Sequence, residues 1–122
     1  MEYKILGRAK DIALLESSEP LIADVQSALD LIMSAQYETG CHKLILYKSR
    51  FTPDFFILRT GLAGEVLQKF INYHVKVAIV GDYSHYTSKP LRAFIYESNQ
   101  GKDIFFLSSV EEAVEKFDSR LR

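Results

Sequence analysis

Apolar positions along the chain fall into two rhythms, one alternating or continuous over four to six residues and one returning every three or four, and the two take turns. The opening predicts two short strands, Glu2 to Leu6 and Asp11 to Leu15, separated by Gly7-Arg8-Ala9-Lys10, a turn-length segment whose glycine accepts positive φ. Pro20 suits the first turn of a helix, and Ile22, Val25, Leu29, Ile32 and Met33 keep helical spacing until Gly40. His42 to Tyr47 reads as a strand. Thr52, Pro53 and Asp54 then offer an N-cap, a rigid first position and a carboxylate suited to the helix dipole. Phe55, Leu58, Leu62, Val66 and Phe70 carry that helical rhythm on, with a break or a close packing contact expected at Thr60-Gly61.

Val75 to Val80 is a β-branched run ended by Gly81-Asp82, and its unbroken apolarity places it inside a parallel sheet with both faces covered. A helix from about Pro90 turns Leu91, Phe94 and Ile95 inward and stops near Asn99-Gln100-Gly101, with the glycine as its C′ residue. Asp103 to Leu107 is the last strand. Ser109 and Glu112 form a capping-box pair ahead of Val110, Ala113, Val114, Phe117 and Leu121, an amphipathic closing helix. The expected fold class is α/β: an N-terminal β-hairpin followed by α-β-α-β-α-β-α, building a mixed, mostly parallel five-stranded sheet in a single domain over residues 1–122.

Strands joined through helices run parallel with right-handed crossovers, so strands laid down in sequence order put every crossover helix on one face. The other face needs cover too, because Ile45 and Tyr47 are as apolar as Leu44 and Leu46, and Ala78 and Val80 as apolar as Val77 and Ile79. The hairpin's side chains, a helix placed there by a non-sequential strand order, or a second copy of the chain are the candidate covers.

Composition narrows the function classes. Fifteen lysines and arginines nearly cancel 16 aspartates and glutamates, and no stretch gathers basic residues, so the footprint of a nucleic-acid binder is missing. Cys41 is the only cysteine, which rules out an internal disulfide, and Met1-Glu2-Tyr3-Lys4 lacks the pattern of a secretion signal. No apolar run approaches the roughly 20 residues of a membrane span. A cytoplasmic setting is the expectation.

The run Val75-Lys76-Val77-Ala78-Ile79-Val80-Gly81-Asp82, with Phe105-Phe106 before Glu111-Glu112-Ala113, resembles the STAS fold of anti-sigma-factor antagonists and the related SpoIIAA-like domains over nearly the whole chain. Gly61-Leu62-Ala63-Gly64-Glu65 through Tyr96-Glu97-Ser98-Asn99 is more closely similar to a bacterial family of domains of unknown function. The STAS resemblance implies a regulatory module. It also implies a phosphorylatable residue, for which Thr60 in Arg59-Thr60-Gly61-Leu62 is the nearest counterpart, although the family's acidic residue and first serine are replaced by Leu58 and Arg59. A phosphate there would add roughly −1.5 to −2 charges at a helix start.

Ligands of open parallel sheets bind beyond the carboxyl ends of the strands, which points to Lys48 and Ser49, to Asp82, Tyr83 and His85, and to Ser108. Tyr83, Tyr86 and Lys89 crowd one loop, where aromatic rings and a cation can form a surface for a ligand or partner, or simply cross the core's edge. Ser49, Asp82 and His85 are triad residue types, but the glycine-flanked nucleophile turn is missing. His42, His74 and His85 lack ligand spacing for a metal, and Gly61-x-x-Gly64 matches neither nucleotide-binding glycine pattern, so no metal and no cofactor are expected. Three functions follow: a non-enzymatic regulatory or interaction domain with a protein partner or as a homodimer, a binder of a small apolar ligand lined by Phe55, Phe56 and Phe70, or an enzyme using Asp82 and His85 as acid and base.

Overall fold

In the computed structural model, which describes residues 2–17 and 22–119, the hairpin strands are β1 (Tyr3–Leu6) and β2 (Ile12–Leu15). Gly7 bends between them at φ 91°, and Lys10 N–H closes the turn on the Gly7 carbonyl at 3.2 Å. The helical rhythm after Gly40 gives way to β3 (Lys43–Tyr47), and the later elements are α2 (Leu62–Asn72), β4 (Lys76–Val80), α3 (Lys89–Gln100), β5 (Ile104–Leu107) and α4 (Val110–Asp118). Among the described residues the five strands form one sheet in the order β1-β2-β3-β4-β5. β1 pairs antiparallel with β2 and the rest pair parallel.

The first helix, α1 (Val25–Thr39), begins later than its apolar spacing predicts. Ile22 forms a bridge to Phe51 instead of a helical turn, its N–H donating to the Arg50 carbonyl at 2.9 Å and its carbonyl accepting from Thr52 N–H at 3.1 Å. A chain tied into that bridge cannot also coil, so the helix starts after Asp24. The Asp24 carboxylate accepts from Ser27 N–H at 2.8 Å, and the Ser27 hydroxyl accepts in return from Asp24 N–H at 3.1 Å. This is a capping box with serine in the place usually held by glutamate. Pro20 lies outside the described residues.

The second helix also departs from its expected start. Pro53–Phe56 and Leu58–Thr60 are separate 3₁₀ turns, and α2 begins only after Gly61, held at φ 78°. The break expected at Thr60-Gly61 is therefore real, and its cause is a left-handed glycine between a 3₁₀ turn and an α-helix. Gly64 is not a packing glycine, since a Cβ added there meets nothing within 4 Å. Gly101 ends α3 in extended conformation at φ −86°, not in the left-handed cap its position suggests.

One core lies between the sheet and the three crossover helices, with Leu44, Leu46, Val77 and Ile79 against Leu31, Ile32, Val66 and Phe70. The opposite face takes a helix, though not by the non-sequential strand order named above. Ala113 and Phe117 of α4 pack there with Ile12, Leu14, Ile45, Ala78 and Phe105. α4 connects no two strands among the described residues, so the handedness rule leaves it free to take the other face while strand order stays sequential. Ser109 caps α4 by accepting from Glu112 N–H at 3.1 Å; the Glu112 side chain turns to the Ser108 hydroxyl instead of completing the box. Leu121 lies outside the described residues. No helix among the described residues is long and apolar enough to cross a membrane.

Candidate functional site at the carboxyl ends of the strands

The amino ends of the strands are tied down by ion pairs, Lys43 with Asp11 at 2.8 Å and Lys76 with Asp103 at 2.9 Å. The carboxyl ends carry a different chemistry. β3 runs out at Tyr47 into a 3₁₀ turn, Lys48–Arg50, and β4 runs out at Val80 into Gly81 and the loop that carries Tyr83, His85 and Tyr86.

Lys48 joins these two ends. Its ammonium donates to the Asp82 carbonyl at 3.1 Å and lies 4.5 Å from the Tyr86 ring centroid, 5.5 Å from Phe56 and 5.6 Å from Tyr83. Three ring faces around one ammonium give an electrostatic attraction that also shields the charge from water. The lysine stem crosses directly over Gly81, where an added Cβ would stand 2.5 Å from Lys48 Cβ. Glycine at the end of β4 is thus what lets the lysine reach the rings.

The rings are fixed in turn. Tyr83 OH donates to the Ile79 carbonyl at 2.8 Å, and its ring meets Phe106 edge-on at 5.6 Å. Burial, and then the neighbouring Tyr86, push the Tyr83 hydroxyl far above its ordinary pKa, so it stays protonated. Tyr86 stacks on Phe56 at 5.6 Å and touches the His85 ring at 4.3 Å. Asp82 accepts from Ser84 Oγ at 2.6 Å and Ser84 N–H at 2.9 Å. Those two bonds, helped by the positive fields of His85 and Lys48, hold its carboxyl below the usual range.

Of the residues singled out from the sequence, Lys48, Asp82, Tyr83, His85 and Tyr86 come together. Ser49, exposed, lines with Lys48, Asp82 and Tyr86 a groove of about 420 Å³, but it makes no hydrogen bond to Asp82 or His85 among the described residues. Lys89 opens α3 exposed and joins no ion pair among them. Ser108 donates to Glu112. Thr60 is occupied locally: its hydroxyl reaches the Asp54 and Ile57 carbonyls at 3.0 and 2.9 Å and accepts from Leu62 N–H at 3.2 Å. Phe55, Phe56 and Phe70 are buried, and Phe55 and Phe56 pack ring to ring at 4.9 Å, so these phenylalanines fill the core. Among the described residues no group of three or more His, Cys, Asp or Glu could hold a metal ion.

Sequence reasoning missed Phe56 as a wall of this cluster and Gly81 as its floor. The glycine was legible as a strand-end breaker, whereas no local signal marked Phe56. A second crevice opens next to the first. The chain leaves β4 toward the crossover helices and leaves β5 toward α4 on the other face, so the two connections part, as at a topological switch point. The space of about 550 Å³ between them is lined by Asp82, Tyr83, Ser84, Ser108 and Glu112.

One family model, described as a domain of unknown function (DUF4180), matches residues 8–117. No curated protein and no solved structure matches the chain.

Proposed function

The chain belongs to the DUF4180 family, whose description carries no activity, and from the geometry of its strand ends we propose that it is a non-enzymatic regulatory or interaction domain that offers the Lys48–Tyr86 surface to a protein partner. One observation carries this reading: Lys48, Asp82 and Tyr83 at the strand ends are each engaged by local partners. Asp82 is held ionised by Ser84, Lys48 is held by three rings, and Tyr83 is held by a backbone carbonyl. General acid-base work needs a group poised to exchange a proton with substrate near working pH. A fixed patch of aromatic rings around a shielded cation suits recognition better, since tyrosines supply contact area at low entropic cost. The resemblance of the sequence to STAS antagonists supports the regulatory class.

Cells treated with a lysine-reactive cross-linker test this. A stoichiometric protein cross-linked through the exposed Lys89 in the wild type, and absent from a folded Tyr86→Ala variant, is the expected result. A partner recovered equally from the variant would place the contact elsewhere, and turnover of a substrate that is lost with Asp82→Ala and His85→Ala would replace the reading with an enzymatic one.

A second reading has its own observation. The groove of about 420 Å³ is walled by Tyr47, Phe51, Phe56 and Val80, a lining suited to a small apolar or aromatic ligand. Such a ligand would lie at the strand ends rather than between the sheet and α2. Mass spectrometry of the purified protein under native conditions would reveal it as a fixed added mass.

A further inference from the structure

A cavity larger than the two at the carboxyl strand ends lies on the face that α4 covers. α4 lies chiefly over β3, β4 and β5, and between it and β1 runs a groove of about 790 Å³. Its floor is apolar, formed by Leu14 and by the half-buried Leu6, Val110 and Val114. Its banks carry opposite charge: Lys4 on β1 and Arg8 in the turn that follows it, Glu111 and Glu115 on α4. Among the described residues the two banks meet at one end, where Arg8 N–H and its guanidinium reach the Asp118 carboxylate and carbonyl at 3.2 and 2.9 Å. Lys4, Glu111 and Glu115 are exposed, and none of them joins an ion pair or side-chain hydrogen bond among the described residues.

We propose that this groove is the interface of a twofold homodimer, in which Lys4 of each copy faces Glu111 and Glu115 of the other. The argument is one of charge order. A partner of single sign would gain on one bank and lose on the other. A surface with the same two stripes in reversed order matches both banks, and a twofold axis running along the groove produces that surface from the chain itself, because an isologous interface sets residue i on j and j on i. β1 is antiparallel to the other strands, and α4 returns from the end of β5. The two banks therefore run in the same direction, which sets Arg8 beside Asp118 and brings Lys4 level with the first turns of α4. This surface is separate from the Lys48–Tyr86 patch, so either assignment can fail without the other.

Charge reversal with complementation is the test, read by sedimentation equilibrium with melting curves to show that each variant is folded. The wild type is expected to dimerise, with association weakened by salt. Lys4→Glu alone, and Glu111→Lys with Glu115→Lys, should each weaken self-association by about tenfold or more, and Lys4→Gln less. An equimolar mixture of the two reversed proteins should associate again, because both cross-contacts are then restored. A wild type that stays monomeric at millimolar concentration overturns the proposal. So does a dimer indifferent to both reversals, a mixture that fails to associate, or a monomer whose groove holds a small molecule.

Discussion

The side-chain amide of Asn99 is paired with the backbone of Phe106 as a neighbouring strand would be: Phe106 N–H donates to Asn99 Oδ1 at 2.7 Å, and Asn99 Nδ2 donates to the Phe106 carbonyl at 3.0 Å. β5 is an edge strand, and unpaired edge groups invite pairing with other chains. Asn99, on the last turn of α3, closes that edge from within. Asn99→Ala should lower stability by about 1–3 kcal/mol in urea unfolding and raise the rate of aggregation on mild heating. A variant unchanged in both would show that water serves Phe106 equally well.

Two glycines near the start of α2 should respond with opposite signs. Gly64 is helical, with open space where a side chain would go, so Gly64→Ala should raise stability by roughly 0.5–1 kcal/mol through a less flexible unfolded chain. Gly61 also has open space, but φ is 78°, and Gly61→Ala should cost about 1 kcal/mol from backbone strain alone. Thermal melts of the two variants side by side decide the matter.

Lys48 and Gly81 should be energetically coupled. A Cβ at position 81 would stand 2.5 Å from Lys48 Cβ, so Gly81→Ala should destabilise the wild type by about 1–3 kcal/mol. In a Lys48→Gly background the obstructing atoms are gone, and the same change should cost much less. A double-mutant cycle measures the difference, and additivity within about 0.5 kcal/mol would mean that the lysine does not lie across the strand end.

Tyr83 predicts an alkaline dependence. Its hydroxyl titrates far above the ordinary value in the folded protein because it is buried, while in the unfolded chain it ionises near pH 10. The unfolded state therefore gains from deprotonation first, so the contribution of Tyr83 is whole below about pH 10 and is lost as pH rises toward the folded value. Tyr83→Phe should cost about 0.5–1.5 kcal/mol at neutral pH, through the lost bond to the Ile79 carbonyl, and should flatten the decline above pH 10. Denaturant midpoints across that range, for both proteins, give the comparison.

How much of this was legible beforehand differs element by element. The strand at Val75 to Val80 and the helix behind Ser109 were plain, because burial on two faces or on one stripe writes its own period into neighbouring residues. Ile22 misled: its spacing fits α1, yet a bridge to Phe51 in a loop twenty-nine positions later claims its backbone. Phe55 misled in the same way, since its spacing to Leu58 fits an α-helix and a 3₁₀ turn alike. The loop of Tyr83 and Tyr86 was identified as a surface, but not as a wall around Lys48.

The sequence by itself determined the order of strands and helices along the chain and the N-terminal hairpin, for these rest on local periodicity and turn chemistry. Tertiary structure alone decided that α4 shelters the second face, that Lys48 lies over Gly81 among three rings, that Asn99 closes the edge at Phe106, and that basic and acidic banks flank one groove. Each of these joins residues whose separation along the chain carries no period. Such meetings are fixed only when the sheet has formed and brought distant segments to the same place.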